Sequence, residues 1–156
     1  MTSLFFALSL LLGNPLIAQQ NGAATPKFED YAVKEQYKGK VAQPVLRTKS
    51  DREFRTRLRE GAKEKVNFAG HYVLITWGCG GGCVMGAALD AKTGTVSWIP
   101  FTLCCWPLEV EDPLNFRVDS KLIVFTGSRG EQGQGVYYYR FEGGKFVLLK
   151  AIEKPQ

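Results

Sequence analysis

The fold is decided by the stretch HYVLITWGCGGGCVMGAALDAKTGTVSWIPF, residues 71–101. Residues 71–77 and 84–91 have the composition of strands, and the glycines between them predict a tight turn. The sequence DAKTG is a second turn signal, and it leads into a third strand at residues 95–101. Consecutive strands joined by tight turns predict an antiparallel meander.

A Pro-containing loop separates this meander from a second series of predicted strands. They cover residues 121–126, 136–141 and 146–152, and EGGK forms the turn before the last one. The two halves match at an offset of 50 residues, for example at Gly94 and Gly144. A period near 50 residues also occurs in propeller blades, but two copies cannot close a propeller. We therefore interpret the match either as two similar three-strand units or as the general likeness of β-meanders.

One helix is predicted before the first strand, over residues 51–63. Ser50 is the expected N-cap, and Glu53 stands where it would complete a capping box. An apolar stripe with helical spacing follows, made of Phe54, Leu58 and Ala62. The sequence therefore predicts an α+β fold, a meandering antiparallel sheet of about six strands with one helix packed on it.

The first residues predict export. Residues 1–18 read as a signal peptide, because the apolar run at 4–12 is shorter than the ~20 residues of a membrane span. No basic residue precedes that run, so either the start lies upstream or the signal is atypical. Residues 19–27 are predicted as a flexible leader, and residues 28–156 as a single α+β domain, periplasmic or extracellular, with no transmembrane segment after cleavage.

The charge of the chain limits the expected partners. The net charge is +5, and export excludes nucleic acid as the partner that a basic protein suggests. Anionic cell-wall polymers or lipid headgroups remain as weak attractors. Charges of both signs at residues 50–65 indicate a solvated helix face. We expect a monomer.

The meander places three connections at one end of the sheet, because alternate turns of antiparallel strands lie at opposite ends. We call this end the loop end: residues 77–83, 104–106 and 127–135. It collects the residues that we consider for a ligand or partner surface, namely Trp77, Trp106, Arg129, Glu131, Gln132 and Gln134. We expect Trp77 to be a core residue by strand parity and Trp106 to be an exposed aromatic.

All four cysteines, Cys79, Cys83, Cys104 and Cys105, fall at the loop end. Two disulfides are the leading interpretation in an oxidising compartment. Folding back about Gly81 puts Cys79 opposite Cys83, and folding about Thr93 brings Cys83 near the residues before Cys104. A bond between the adjacent Cys104 and Cys105 would close a strained ring, so cross-links between the two pairs are favoured over that bond, with the pairing left open. A four-cysteine metal site and a redox-active disulfide are the alternatives. No metal and no cofactor are expected.

No catalytic constellation is predicted. His71 begins the first strand and Cys79 lies eight residues further on, ~26 Å along an extended chain, which argues against a Cys–His pair. We interpret His71 as structural. Glu131 near Arg129 predicts either an ion pair that rigidifies the loop or a ligand contact.

The segments FRTRLREGAKEKVNFAGHYVLITWGCGGGCVMGAALDAKTGTVSWIPF and FRVDSKLIVFTGSRGEQGQGVYYYRFEGGKFVLL resemble a group of exported bacterial proteins, with NFAGHY, TWGC and CCW as the specific motifs. That group implies no established activity. ALDAKTG with Trp98 also looks like one repeat of a quinoprotein-type propeller. A single copy implies only the turn-and-strand geometry and no quinone.

We therefore expect a secreted, disulfide-braced binding or inhibitor-like module that contacts an envelope protein or a cell-wall glycan through its loop end. A cell-envelope enzyme, or a thiol-redox or metal protein using the cysteine cluster, is the alternative. That alternative requires at least one cysteine that is free or that cycles in the native protein.

Overall fold

A computed structural model describes residues 24–154 of the chain. The described part is mainly β, with eight antiparallel strands and two short helices. A 3₁₀ helix covers Phe28–Tyr31, and the α-helices are α1 (Lys49–Glu53) and α2 (Arg55–Gly61). The strands are β1 (Tyr72–Gly80), β2 (Cys83–Asp90), β3 (Val96–Trp98), β4 (Leu103–Cys104), β5 (Leu114–Phe116), β6 (Leu122–Arg129), β7 (Gln132–Glu142) and β8 (Lys145–Glu153).

The strands form one sheet in the order β1-β2-β4-β6-β7-β8, with β3 added to β2 and β5 added to β6. Four hairpin turns lie in the described sheet, between β1 and β2, β2 and β3, β6 and β7, and β7 and β8. The turn glycines Gly94 and Gly144 both have a φ of 75°, a conformation that favours glycine. The two halves therefore share a left-handed glycine at this matched position, although five residues separate β2 from β3 and two separate β7 from β8.

The main core lies on one face of the sheet, and the sheet curls around it. Tyr72 of β1 meets Phe141 of β7 with ring centroids 4.7 Å apart, although three strands separate β1 from β7 in the sheet. Phe68, just before β1, packs on Phe141 as well, at 5.3 Å. The rest of this core consists of Ala69, Leu74, Ala88, Ile99, Leu103, Ile123, Phe125, Tyr137 and Tyr139.

The helices cover the opposite face, over β1 and β2. Leu58 and Ala62 are buried, and Ala62 packs with Val73 and Leu89 in a second, smaller cluster. Burial of apolar area drives this packing at ~25 cal/mol per Å². The predicted apolar stripe is confirmed, and so is its place against one face of the sheet.

The helix boundaries differ from the prediction. Thr48, not Ser50, is the N-cap, and Asp51, not Glu53, completes the capping box. The predicted continuous helix over residues 51–63 is interrupted at Phe54, whose backbone leaves helical geometry with φ −97° and ψ 18°. The Phe54 ring packs on Trp77 and Trp98 with centroids 5.4 and 5.5 Å apart, so tertiary packing accompanies the break.

The Asp51 carboxylate joins the helix start to the sheet. One oxygen accepts from the backbone N–H groups of Arg47 and Thr48 at 2.9 and 2.7 Å, and the other accepts from the Trp98 indole at 2.8 Å. Burial opposes the charged form, but these hydrogen bonds outweigh it and hold the pKa of Asp51 below its ordinary value. Asp51 is 3% exposed, so its bonds are shielded from water.

The NFAGHY motif is a structural tie at the edge strand β1. The Asn67 side chain accepts from the Leu74 N–H at 2.7 Å and donates to the Leu74 carbonyl at 3.2 Å. Gly70 has φ 82° and donates to the Val118 carbonyl at 2.7 Å. A side chain there would meet the Glu35 carbonyl at 2.8 Å, which accounts for glycine at this position.

The structure therefore confirms an antiparallel sheet but has eight strands instead of about six, and two short helices in place of one. The two added strands, β4 and β5, have two and three residues. The predicted signal peptide, residues 1–18, lies outside the described residues, as does the start of the predicted leader. No helix in the described range 24–154 has the length and hydropathy to span a bilayer.

We predict that Asp51→Asn lowers the free energy of unfolding by about 1–3 kcal/mol at neutral pH, because an amide N–H₂ would face two backbone donors. A pKa lowered in the folded state stabilises above the ordinary pKa, and the gain disappears as pH falls through the folded-state pKa. The difference between wild type and variant in urea unfolding should therefore shrink in acid. Glu53→Gln is the matched control, with little change expected; an equal loss from it would contradict the assignment of the cap.

Candidate functional site

The loop end comes together through β4. Cys104 pairs with Cys83 of β2 on one side and with Ser128 of β6 on the other. The Gly130 N–H donates to the Thr102 carbonyl at 2.7 Å, which ties the β6–β7 turn to the same segment. The structure thus places the three predicted connections at one end of the sheet.

The turn between β1 and β2 extends away from the rest of the domain. Gly80, Gly81 and Gly82 have φ values of 95°, 55° and 75°, and a Cβ at any of them would meet no other atom within 4 Å. Backbone conformation, and not close packing, therefore accounts for these glycines. The turn presents backbone groups to solvent at the tip of the loop end.

Cys79 and Cys83 form a disulfide across the β1–β2 hairpin, with their Cα atoms 5.2 Å apart. The expectation of cross-links between the two cysteine pairs is wrong for these two residues. The reason is the strand register: Gly78 pairs with Val84 and Gly80 with Cys83, which leaves Cys79 in an irregularity beside Cys83. The bond closes the base of the glycine turn.

Cys104 and Cys105 carry free thiols, and their sulfurs lie 2.7 Å apart. Cys104 is buried, whereas Cys105 is exposed and has a φ of 57°. The contact with the Cys105 sulfur, then burial, raises the pKa of Cys104, although the Glu131 backbone N–H partly opposes that shift. Cys104 is therefore a protonated thiol at neutral pH.

A pocket of about 650 Å³ opens beside Arg129 at the loop end. The Arg129 guanidinium lies 3.9 Å over the Tyr137 ring and donates to the Tyr139 hydroxyl at 2.7 Å. Arg129 also pairs with Glu153 at 3.5 Å, and Tyr137 donates to the same carboxylate at 3.1 Å. The pocket is lined by Phe101, Arg129, Glu131, Gln132, Gly133 and Glu153.

Arg129 is held in place but keeps a donor unused. Its Nε is buried and has no hydrogen-bond partner among the described residues. Burial, together with the hydrogen bond to Glu153, raises the pKa of Tyr137, so this phenol stays protonated as a donor. The Nε of Arg140, which lies outside this pocket, is buried without a partner in the described range as well, so the unused donor is not specific to the pocket.

The expected ion pair between Arg129 and Glu131 is not the one that forms, because Arg129 pairs with Glu153. Glu131 has a φ of 66° at the tip of the β6–β7 turn, where it is exposed at the pocket rim with Gln132. Sequence reasoning missed Glu153, since its place beside Gly135 depends on the register of β7 and β8. Nothing in the sequence around Glu153 marks it as a partner of Arg129.

The remaining predicted surface residues lie on other sides of the loop end. The Gln134 side chain donates to the Cys105 carbonyl at 2.9 Å, which braces the cysteine segment. Trp106 is half-buried and packs against the main core, so the expectation of an exposed aromatic is wrong. The neighbouring Leu108 is the apolar side chain that is 99% exposed, and its sequence context gave no reason to select it.

Trp77 does not reach the Arg129 pocket. Its ring packs on Trp98 with centroids 5.8 Å apart, on the helix-covered face that it shares with Val73 and Ile75. The expected core role by strand parity fits this position. Trp77 therefore packs between the helix and the sheet and is not part of the candidate ligand surface.

His71 lies at the far end of β1 from Cys79. Its Nε2 is 3.8 Å from an Asp90 carboxylate oxygen, and its ring packs on Tyr72 at 4.3 Å. Burial lowers the pKa of His71, with Lys92 and Lys121 adding to the effect and Asp90 opposing it. The side chain is neutral at pH 7 and stabilises the strand end.

Among the described residues, no group of three or more His, Cys, Asp or Glu side chains is arranged to hold a metal ion. Comparisons with protein-family models, curated proteins and solved structures find no match. The resemblance to exported bacterial proteins stays a prediction.

We predict that the double variant Cys79→Ala with Cys83→Ala unfolds at a lower urea concentration, because the unfolded chain regains the freedom that the disulfide removes. The free energy of unfolding should fall by only about 2 kcal/mol, since the loop that the disulfide closes is short. Reduction of the wild type should have the same effect. Cys105→Ser is the control and should change stability by less than about 0.5 kcal/mol. A loss from Cys105→Ser as large as that of the double variant would indicate a cross-link between the pairs.

Proposed function

We propose that this protein is an exported, disulfide-braced binding module that contacts an envelope protein or a cell-wall glycan through its loop end. The observation that carries the proposal is the Arg129 pocket, where a guanidinium positioned by two tyrosines and the Glu153 carboxylate lines a cavity with Glu131 and Gln132 at its rim. Such a set offers donors and acceptors over a rigid aromatic base, which suits a polar ligand.

The support around the pocket favours binding of a surface. Pairing of β4 with β2 and β6 holds the turns together, and the Cys79–Cys83 bond limits the freedom of the glycine turn. A rigid surface loses less conformational entropy when a partner binds. Leu108, fully exposed next to Pro107, adds an apolar contact at the same end.

The pocket also favours recognition over catalysis. Its ionisable residues are Arg129, Glu131 and Glu153, and Glu153 is already engaged by Arg129 and Tyr137. No serine, cysteine or histidine stands among the described lining residues. Nucleophilic catalysis needs a nucleophile beside a base, which this lining does not provide.

The test compares the loop end with the opposite end of the sheet. A photo-crosslinking amino acid at Gln132 should trap a partner in envelope extracts, whereas the same group at Lys145, in the far turn, should not. Co-sedimentation with isolated cell wall tests the glycan partner. Arg129→Ala should weaken capture by at least about tenfold, as expected of a central contact, and the rim variant Gln132→Ala should weaken it less.

Thr93→Ala in the opposite turn is the matched control and should leave capture unchanged. Thermal unfolding of each variant separates lost contacts from lost folding, and Gln132→Ala is exposed and should fold as wild type. Capture that is unchanged in both Arg129→Ala and Gln132→Ala would overturn the proposal.

A second candidate function, thiol–disulfide exchange, is favoured by the Cys104–Cys105 pair. The exposed Cys105 thiolate would attack a disulfide of a partner and release one partner thiol. Cys104, with its sulfur 2.7 Å away, would then attack the Cys105 sulfur and release the second thiol. The partner disulfide gains two electrons, and the pair becomes a disulfide.

Glutathione disulfide is a suitable probe for this second function. Cys104→Ser should accumulate a stable mixed disulfide on Cys105, whereas the wild type should resolve it. Resolution should accelerate as pH rises, because the pKa of Cys104 is raised and the thiolate is the nucleophile. Cys105→Ser is the control and should form no adduct. Cys105 that is unreactive in the native protein would rule this candidate out.

A further inference from the structure

A groove of about 600 Å³ lies away from the loop end, between an extended segment and the end of the helical region. One wall is the segment 36–43, and the other is the segment 62–66, which follows α2. Val118 completes the lining. The groove shares no lining residue with the Arg129 pocket, so it is a separate surface of the domain.

Lysines dominate both walls. Lys38 and Lys40 lie on the first wall, Lys63 and Lys65 lie on the second, and all four are exposed. Within residues 24–154 none of the four takes part in a salt bridge, whereas Arg117, Arg129 and Arg140 each pair with a carboxylate. Glu64 is the acidic residue that lines the groove. The local excess of positive charge therefore exceeds the average over the chain, which has 20 Lys and Arg against 15 Asp and Glu.

The first wall is held in place by the protein itself. The Tyr37 N–H donates to the Gly70 carbonyl at 2.7 Å, and the Ala42 N–H donates to the Ala91 carbonyl at 2.8 Å. The Tyr37 hydroxyl donates to the Lys40 carbonyl at 3.2 Å, so the ring spans the turn between them. The lysines thus extend from a backbone that is already ordered, which lowers the entropy cost of binding.

We propose that this groove binds a flexible glycan chain that carries several phosphate groups. Lysine ammonium groups bind phosphate as compact point charges, whereas the arginine fork serves bidentate recognition of one carboxylate or phosphate group. Two pairs of lysines on facing walls match a series of charges along a chain better than one fixed anion. The apolar side chains between them, Val41, Ala62 and Val66, suit the apolar faces of sugar rings.

The concave shape decides between a chain and a bilayer. A membrane presents its phosphates in a plane, which reaches the rims of a groove, whereas a single chain enters between the walls. Attraction by unpaired lysines in solvent is screened by salt, with a Debye length of ~10 Å at 0.1 M. Binding should therefore weaken as salt rises.

The test uses a lipid-free oligosaccharide with three or more phosphate groups, titrated by calorimetry at low salt. The groove variant replaces Lys38, Lys40, Lys63 and Lys65 by glutamine. The control variant replaces Lys27, Lys49, Lys145 and Lys154 by glutamine, which removes the same charge elsewhere on the surface. We expect the groove variant to bind at least about tenfold more weakly, and the control to stay within about threefold of wild type.

The dephosphorylated oligosaccharide is expected not to bind, and anionic phosphatidylglycerol vesicles are expected to bind groove variant and control alike. Equal weakening in both lysine variants would show that overall charge, and not the groove, attracts the ligand, and would overturn the proposal. The proposal would also be overturned if the wild-type protein bound the dephosphorylated oligosaccharide as tightly as the phosphorylated one. So would vesicle binding that depends on the four groove lysines, because that result assigns the groove to a lipid surface.

Discussion

The two-residue strand β4 is the connection on which the site depends. Its backbone pairs on one side with Cys83 and Val84 and on the other with Ser128 and Arg129, so it joins the two hairpin units in a single sheet. Further from the loop end, β3 pairs with β2 and β5 pairs with β6, and neither of them joins the two units. The Arg129 pocket, the disulfide and the free thiols all lie where the two units are joined.

Aromatic packing accompanies the curling of the sheet around the main core. The contact of Tyr72 with Phe141 brings distant strands together across the main core, and Phe101 packs on Phe125 at 5.0 Å and on Tyr139 at 5.6 Å. Aromatic pairs contribute about 0.5–1.5 kcal/mol beyond the area that they bury. Phe101 is both a core contact and a lining residue, so the pocket is continuous with the core that supports it.

On the opposite face of the sheet, the buried Asp51 carboxylate ties the helical region to the strands. Asp51 links the first helical turn to Trp98, and Trp98, Trp77 and Phe54 pack together between helix and sheet. A hydrogen-bonded carboxylate fixes one relative position of these elements, which a purely apolar contact does not. The same packing holds the helical region whose end forms one wall of the lysine groove.

The sequence by itself determined the strand-rich fold, the turns, the apolar helix stripe and the gathering of four cysteines at one end, because these follow from composition, period and alternating strand direction. Only the tertiary structure decided the cap at Thr48, the pairing of β4, the Cys79–Cys83 bond and the partnership of Arg129 with Glu153. Each of these depends on strand register or on contacts between distant segments, and neither leaves a local pattern in the chain. The lysine groove is of the same kind, since its walls are 19 or more residues apart in sequence and meet only in the folded domain.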